Sequence, residues 1–320
     1  MKKNKVYFVF LVVVLILISS CMNREKEETL DIQKDSQVVI EPSKRIVETK
    51  MKQNYDISEF SGKAEICSYS LERARYEGLH PGEAVLIFVS EPFLLEKQVK
   101  ADDWKNRPTI PVLKMNRIDR FTTGIYDYSM FTSVFTPVSE YDARYPLKIT
   151  FSSQDWCGQS YMQLNNNKGF DVEQYSYFES EGDTSFHQDY AITEDNIFNM
   201  ARIDLDLLPT GAFKIQPSFN YIRSSHKENR AYHANASIGE QEGLMVYNCE
   251  IPELRRSLRI FLDPKKNNRI VKWTETYPTI FDGKLRTSTY KLKVVKKAPY
   301  WSLNAVGDKN WRDSLNLKKE

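Results

Sequence analysis

The sequence has few of the residues and motifs that most enzymes use for catalysis or for holding a cofactor. It contains 4 histidines and 4 cysteines in 320 residues, and it has no Ser-His-Asp order, glycine-rich phosphate loop or His-Glu-x-x-His motif. Glycine and proline are modest, at 12 and 13 residues, and no internal repeat has a fixed period. These absences exclude low-complexity and repeat proteins and favour a packed globular chain, for which we predict no cofactor.

Long apolar runs are also scarce, except at the N-terminus. Three lysines in the first five residues precede an uninterrupted apolar run from Val6 to Ile18. This run is shorter than the roughly 20 residues that a membrane-spanning helix needs, and it has the proportions of a signal peptide. It ends in Ile18-Ser19-Ser20-Cys21, which resembles the lipobox of bacterial lipoproteins, where the cysteine sulfur receives a diacylglycerol and the chain is cleaved just before it. The sequence therefore predicts a signal peptide at 1–20 and lipidation of Cys21.

The next segment, residues 21–54, is charged and has no aromatic residue. It is typical of a flexible spacer, whose root-mean-square reach would be roughly 30 Å. Residues 55–320 would then form a β-rich domain, either undivided or made of two subdomains. An exported, acylated chain is expected in the cell envelope, anchored by lipid in the outer membrane and facing the periplasm or the exterior. Nucleic acid is not an expected partner there.

Neither sign of charge is in large excess, but the charge is unevenly placed. The chain has 45 basic and 43 acidic residues, so it is nearly neutral once the signal lysines are removed. Residues 151–210 carry a net charge of −9, whereas residues 251–320 carry +10. Two interpretations remain open: complementary faces of one fold, or a basic surface that faces anionic lipid headgroups or a polyanion.

Strand patterns dominate the mature chain. Residues 64–76 and 83–91 flank a turn-rich break at 78–82 and predict a β-hairpin, although helix formers in the first arm make a helix the competing prediction. Val85–Val89 is continuously apolar, as expected for a strand covered on both faces. Residues 146–154 alternate cleanly between apolar and polar side chains. These patterns predict strands separated by short turns, which favour antiparallel pairing.

A helix is expected after Thr193, which could cap it, with Glu194 and Asp195 at its positive end and a short apolar stripe behind them. The predicted fold class is therefore mainly β, with one or two short helices. The sheet would be antiparallel and either strongly curved toward a partly closed barrel or split into a two-sheet sandwich.

Trp156-Cys157-Gly158 begins like a thioredoxin-type redox site. Such a site needs a second thiol three residues after the first, and Ser160 occupies that position. We therefore interpret the stretch as structural, with Trp156 packed on the sheet and Gly158 allowing a turn. Cys67, Cys157 and Cys249 lie in apolar strand contexts typical of buried free thiols, so no disulfide is predicted, although an exported protein could pair two of them.

The densest polar cluster is residues 177–189. Its candidate cation ligands are Glu179, Glu181, Asp183 and His187. Gly182 permits a tight turn, but the spacing matches no calcium loop and no second histidine lies nearby for zinc. A solvated acidic loop is the simpler interpretation.

Several segments together resemble a family of uncharacterised Bacteroidota lipoproteins. They are KAEICSYSLERARYEGLHPGEAVLIFVSEPFLLEKQVKADD, GIYDYSMFTSVFTPV, PLKITFSSQDWCGQSYMQLN, YSYFESEGD, LPTGAF and APYWSLN, between about residues 63 and 304. Such proteins are often labelled "septum formation inhibitor Maf". True Maf proteins are cytosolic nucleotide pyrophosphatases with a Ser-x-Ser-Pro-Arg-Arg-like motif, which this exported, β-rich chain does not contain, so that activity is not expected. The resemblance implies no catalytic residue.

The leading hypothesis for function is a non-catalytic envelope lipoprotein, anchored in the bilayer through acylated Cys21, that binds a partner protein or an apolar ligand in its curved sheet. The alternative is an envelope hydrolase that uses carboxylates such as Glu181 and Asp183. A deep acidic cleft would favour the hydrolase, whereas an apolar concavity of a few hundred Å³ would favour the binding module.

Overall fold

The computed structural model describes residues 50–317 and confirms a mainly β protein. The strands are β1 (Lys50–Asn54), β2 (Ala64–Arg75), β3 (Gly78–Leu94), β4 (Val99–Lys100), β5 (Ile110–Thr123), β6 (Tyr126–Pro137), β7 (Ser139–Tyr141), β8 (Lys148–Asp155), β9 (Gly158–Asn166), β10 (Phe170–Ser176), β11 (Thr184–Gln188), β12 (Ile192–Thr193), β13 (Gly211–Gln216), β14 (Tyr232–Gln241), β15 (Leu244–Ile251), β16 (Arg256–Asp263), β17 (Arg269–Pro278) and β18 (Leu285–Ala298). The helices are α1 (Ile197–Ile203), α2 (Phe219–Ser225) and α3 (Trp311–Ser314).

The predicted signal peptide, Cys21 and most of the predicted spacer lie outside the described residues. The last five residues of the predicted spacer, 50–54, form β1. Among the residues that the structure describes, no helix is both long enough and apolar enough to cross a bilayer.

Sixteen strands form one sheet, in the order β11-β10-β9-β8-β6-β5-β3-β2-β18-β17-β16-β15-β14-β13-β12, with β4 beside β3. β12 and β13 pair in parallel, and the other neighbours in the sheet are antiparallel, as their short connections predict. The sheet is strongly curved but not closed. A side-chain hydrogen bond of 3.1 Å from Gln188 in β11 to Gln216 in β13 joins its two edge regions. The fold is therefore the curved sheet of the prediction and not the sandwich.

The curvature is fixed by two short helices on the concave face. From α1, Phe198 meets Trp273 of β17 at a ring distance of 5.4 Å, and Asn199 donates to Thr136 of β6. From α2, Asn220 donates to Asp119 of β5 at 3.2 Å. Because these helices touch strands from distant parts of the sheet, the sheet must wrap around them.

Most of the local predictions for the first half of the sheet hold. β2 and β3 form the expected hairpin, so the competing helix at 64–76 is wrong. The break predicted at 78–82 is also wrong, because Arg75 pairs with Gly78 and the turn lies at residues 76–77, which leaves 78–82 in β3. In β8, Ile149 and Phe151 are buried while Lys148, Thr150 and Ser152 are half-buried. The helix after Thr193 is also confirmed, but the Thr193 hydroxyl does not cap it. Asp195, expected at the start of this helix, accepts hydrogen bonds from Ser218 and Phe219 at the start of α2.

The two ends of the sheet differ in what they carry. The turns of the hairpins β2–β3, β5–β6, β8–β9 and β17–β18 lie at one end, here named the distal end. β1 pairs with β7, in the connection that joins β6 to β8 at the opposite, proximal end. The described chain therefore begins at the proximal end.

Residues 299–317, here named the C-terminal arm, follow the last strand and pack on the convex face. Tyr300, Leu303 and Leu315 contact a small cluster that contains Ile66 of β2 and Val89 of β3. The Ser68 hydroxyl donates to the Leu315 carbonyl at 2.5 Å and fixes the end of the arm. The arm explains the continuously apolar run in β3, because that strand is covered on both faces.

Candidate functional site

The concave interior is filled by a network of buried ions. Glu275 lies 2.8 Å from Arg117, 3.5 Å from Arg256 and 3.8 Å from Arg73, and Asp119 lies 2.8 Å from Arg117. Burial alone would raise the pKa of Glu275, but the three guanidinium groups outweigh it and lower that pKa to about 2. Because these charges compensate one another, the concave face is a structural core. It does not provide the apolar ligand site that was expected inside the curved sheet.

The four candidate cation ligands, Glu179, Glu181, Asp183 and His187, do not form one cluster, although Glu181 and His187 line the same cleft. His187 bonds to Asp171 at 2.8 Å. Glu181 instead faces His226, which follows α2. Within residues 50–317, no group of three or more histidine, cysteine, aspartate or glutamate side chains is placed to hold a metal ion.

Glu181 and His226 line a polar cleft of 630 Å³ between β10–β11 and the connection that leads into β14. The Ser176 hydroxyl donates to Glu181 at 2.5 Å, and His226 bonds to the same carboxylate. The carboxylate thus stands between the hydroxyl and the imidazole, whereas a nucleophilic serine needs the imidazole next to it. Burial acts to raise the pKa of Glu181, but bonds from His226 and Ser176 lower it overall, which disfavours a general acid. This cleft gives the hydrolase alternative no support.

The stretch that resembles a redox site occupies the tip of the β8–β9 turn. Trp156 is 69% exposed and Cys157 is exposed, so the predictions that Trp156 packs on the sheet and that Cys157 is buried are both wrong. The reason is that Asp155 pairs with Gly158 and closes a turn too tight for the two residues between them to reach the core. Gly158 is required as predicted, because its φ is +154° and a Cβ there would lie 2.9 Å from Tyr177.

The other two thiols, Cys67 and Cys249, are free and buried. Burial, with smaller contributions from nearby carboxylates, raises the pKa of each to about 12. A thiol that stays protonated is a poor nucleophile, so these cysteines belong to the core.

An apolar groove of 570 Å³ lies on the convex face, between the sheet and the C-terminal arm. Its floor is formed by Ile66, Val85 and Ile87 of β2 and β3. Its opposite wall is formed by Tyr300, Leu303, Trp311 and Leu315 of the arm. This is the apolar concavity of a few hundred Å³ that favours a binding module, and it lies on the opposite face of the sheet from the expected one.

The mouth of the groove is basic. Lys309 and Arg312 line it, together with Asp308. Lys296 lies beside Trp311 at the adjoining edge of the arm. Three basic groups and one acidic group therefore surround an apolar cleft, and this arrangement suits a ligand with an apolar body and an anionic end.

Sequence reasoning missed this site for an identifiable reason. The spacing of the apolar arm residues is too irregular to indicate a strand or a long helix, so no sequence pattern predicts the surface that they form. These residues are Tyr300, Leu303, Trp311 and Leu315. The usable signal was the continuously apolar Val85–Val89, which implied a second layer over β3 but did not identify it.

No protein-family model and no curated protein matches the chain. Among solved structures, the chain is similar to a β-barrel-like protein of domain of unknown function DUF1849 from Brucella abortus. The sequence identity is 8% and the TM-score is 0.39, over 77% of this chain and 99% of that chain. We draw no conclusion about function from a similarity of this size.

Proposed function

We propose that the protein is a membrane-anchored envelope lipoprotein and a non-catalytic binding module. Its ligand is an amphiphile with one acyl chain and an anionic headgroup. The observation that carries the proposal is the apolar groove under the C-terminal arm, with basic residues at its mouth.

The shape and lining of the groove support this ligand class. Side chains from the sheet and the arm offer apolar surface on two sides, so a thin, flexible chain would lose most of its contact with water there. Lys309 and Arg312 at the mouth would attract a carboxylate or phosphate, while the sheet side of the groove consists of the apolar Ile66, Val85 and Ile87. The anionic headgroup of the ligand would therefore lie at the mouth of the groove, and its acyl chain would lie inside the groove.

The anchor supports the same conclusion from the sequence side. An acylated Cys21 would hold the domain at a bilayer, where single-chain and double-chain amphiphiles are concentrated. The resemblance to Bacteroidota lipoproteins agrees with an envelope location. An envelope protein as an additional partner is a further expectation from the sequence.

Photo-crosslinking tests the proposal at residue resolution. Full-length protein in nanodiscs would be exposed to a palmitate analogue with a diazirine on its chain, and the labelled peptides mapped by mass spectrometry. We expect labels within residues 66–87 and 300–317. Leu303→Glu should reduce labelling more than about tenfold, because it places a charge against the chain. The matched control, Val99→Glu, alters an exposed valine at the proximal end and should leave labelling unchanged.

The headgroup is tested separately. Lys309→Gln together with Arg312→Gln should weaken labelling by palmitate and by a lysophosphatidic acid analogue, but not by an uncharged hexadecanol analogue. Labels spread over other surfaces, or equal labelling of wild type and Leu303→Glu, would overturn the proposal.

A further inference from the structure

Four neighbouring hairpins expose large apolar side chains at the distal end. Leu79 lies at the β2–β3 turn, Ile125 at the β5–β6 turn and Trp156 at the β8–β9 turn, with exposures of 53%, 80% and 69%. The β17–β18 turn adds Ile280, Phe281 and Leu285, of which Phe281 is 67% exposed. We name these six residues the apolar rim.

The rim residues form a row because their hairpins are adjacent in the sheet, with the exposed Glu77 and Lys284 on two of the same tips. The strands run in the order β9-β8-β6-β5-β3-β2-β18-β17, so the four turns stand side by side. With neighbouring strands about 4.8 Å apart, eight strands extend over roughly 34 Å. Single exposed apolar residues are common on protein surfaces, but a row of this length marks an interaction surface.

Tyrosine hydroxyls form a second layer directly behind the tips. The hydroxyl of Tyr76 lies 2.9 Å from that of Tyr126 and 2.8 Å from that of Tyr128. The rings of Tyr126 and Trp156 lie 6.4 Å apart, which connects this layer to the rim. Tyr76 and Tyr126 are half-buried beside the apolar tips, and such amphipathic rings are favoured at a membrane interface.

We infer that the apolar rim is the surface by which the domain inserts into a lipid bilayer. The cavity of 530 Å³ at this end is lined by only one rim residue, Trp156. A bilayer, in contrast, accepts all six separate tips without a matching shape. The rim is distinct from the groove under the C-terminal arm, so this inference does not depend on the proposed ligand.

The length of chain before the first strand permits this contact at the anchoring membrane. The described chain begins at Lys50, at the proximal end, so the rim lies at the other end of the sheet. The 29 residues from Cys21 to Lys50 can span at most about 100 Å when fully extended. The 17 residues of β3 are about 56 Å long, so an anchor at Cys21 can lie in the same bilayer as the rim.

Cys157 provides a natural reporter, because it is exposed and follows Trp156 directly. Full-length protein labelled at Cys157 with an environment-sensitive nitrobenzoxadiazole would be placed in phosphatidylcholine vesicles. We expect its emission to rise and shift to shorter wavelength, and brominated lipids to quench it. Identically treated Cys157→Ser protein gives the background.

A pair of variants tests the rim itself. Ile125→Ser with Phe281→Ser should shift the equilibrium from the inserted toward the free domain by about 100-fold. The change in fluorescence emission should therefore be abolished. The matched control is Val99→Ser with Trp104→Ser, which removes two exposed apolar residues from the proximal end and should leave the response intact.

Three outcomes would overturn the inference. They are no emission change in vesicles, a change that survives Ile125→Ser with Phe281→Ser, and a change that appears without vesicles as the protein concentration rises. The last outcome would identify a second copy of the chain as the occupant of the rim.

Discussion

Glu275 is the residue on which the charge balance of the interior depends. Three arginines surround its buried carboxylate, and together they lower its pKa from 4.5 to about 2. A carboxyl group whose pKa is lower in the folded state stabilises the fold above its unfolded pKa. This contribution is complete above about pH 4.5 and is lost as the pH falls through about 2.

The first prediction concerns the Glu275→Gln variant. At pH 7 it should lower the free energy of unfolding by roughly 3–5 kcal/mol, because three buried guanidinium groups lose a compensating charge. Its stability should also depend less on pH between 4.5 and 2 than that of the wild type. Denaturant unfolding at a series of pH values measures both effects.

Glu250→Gln is the control for Glu275→Gln, because Glu250 is exposed in the neighbouring part of the sheet. It should change the stability by less than about 0.5 kcal/mol. Asp195 has the opposite effect on the pH dependence of stability. Burial raises its pKa to about 6, so the folded state becomes more stable as the pH falls from 6 to 4. If the free energy of unfolding of Glu275→Gln and of the wild type depended equally on pH, the network would not be keeping the Glu275 carboxylate ionised.

The second prediction concerns thiol reactivity. In the native protein a maleimide should modify Cys157 quickly and Cys67 and Cys249 slowly, because only Cys157 of these three is exposed. Peptide mapping after short reaction times gives the order. Modification of Cys67 or Cys249 at the rate of Cys157 would mean that the core around them opens readily. Cys157→Ser should be close to neutral for stability, since the side chain is exposed.

At the scale of secondary-structure elements, strands were predictable and the interior helix α2 was not. Alternation in residues 146–154 is a local signal and produced the expected strand. The hairpin around residue 78 was also predictable, but its turn lies at residues 76–77 and not at 78–82. In α2, by contrast, Asn220, Arg223 and Ser224 are buried. All seven residues of α2 are buried, and the apolar Phe219 and Ile222 stand among these polar side chains. The helix therefore has no exposed polar face, and its sequence lacks the amphipathic pattern of a surface helix.

The C-terminal arm was missed for a related reason. Its partners on β2 and β3 are more than 200 residues away in the chain, and no local period reveals such contacts.

The third prediction follows from the position of the C-terminal arm over Ile66, Val85 and Ile87. Removal of residues 299–320 should leave the far-ultraviolet circular dichroism spectrum of the sheet in place, increase binding of anilinonaphthalene sulfonate and abolish crosslinking by the palmitate analogue.

A milder change checks that this effect comes from the groove. Ser68→Ala removes the bond to the Leu315 carbonyl and should weaken crosslinking less than full removal of the arm. Loss of the sheet's circular dichroism signal on removal of residues 299–320 would show instead that the arm is part of the folding core.

For the whole molecule, the two charged regions identified in the sequence are partly complementary. Arg256 in the basic region bonds to Glu194 in the acidic region inside the sheet. Other basic residues stay on the outside, where Lys296 stands exposed beside the arm. The excess of basic residues near the C-terminus thus contributes both to the interior and to the mouth of the groove.

The fourth prediction concerns the anchor. Cells given an alkyne-bearing palmitate analogue should incorporate it into the wild-type protein, and Cys21→Ala should not incorporate it, because the acceptor thiol is gone. Cys157→Ser serves as the control and should label like the wild type. Equal labelling of Cys21→Ala and wild type would exclude this anchor.

The most direct test of the proposed function is mass spectrometry of the ligand that co-purifies with the native protein. Wild type released gently from membranes should carry a bound amphiphile with one acyl chain and an anionic headgroup, and Leu303→Glu purified in the same way should not. Protein that carries no such molecule and that turns over substrates on a panel of hydrolase assays would contradict the account.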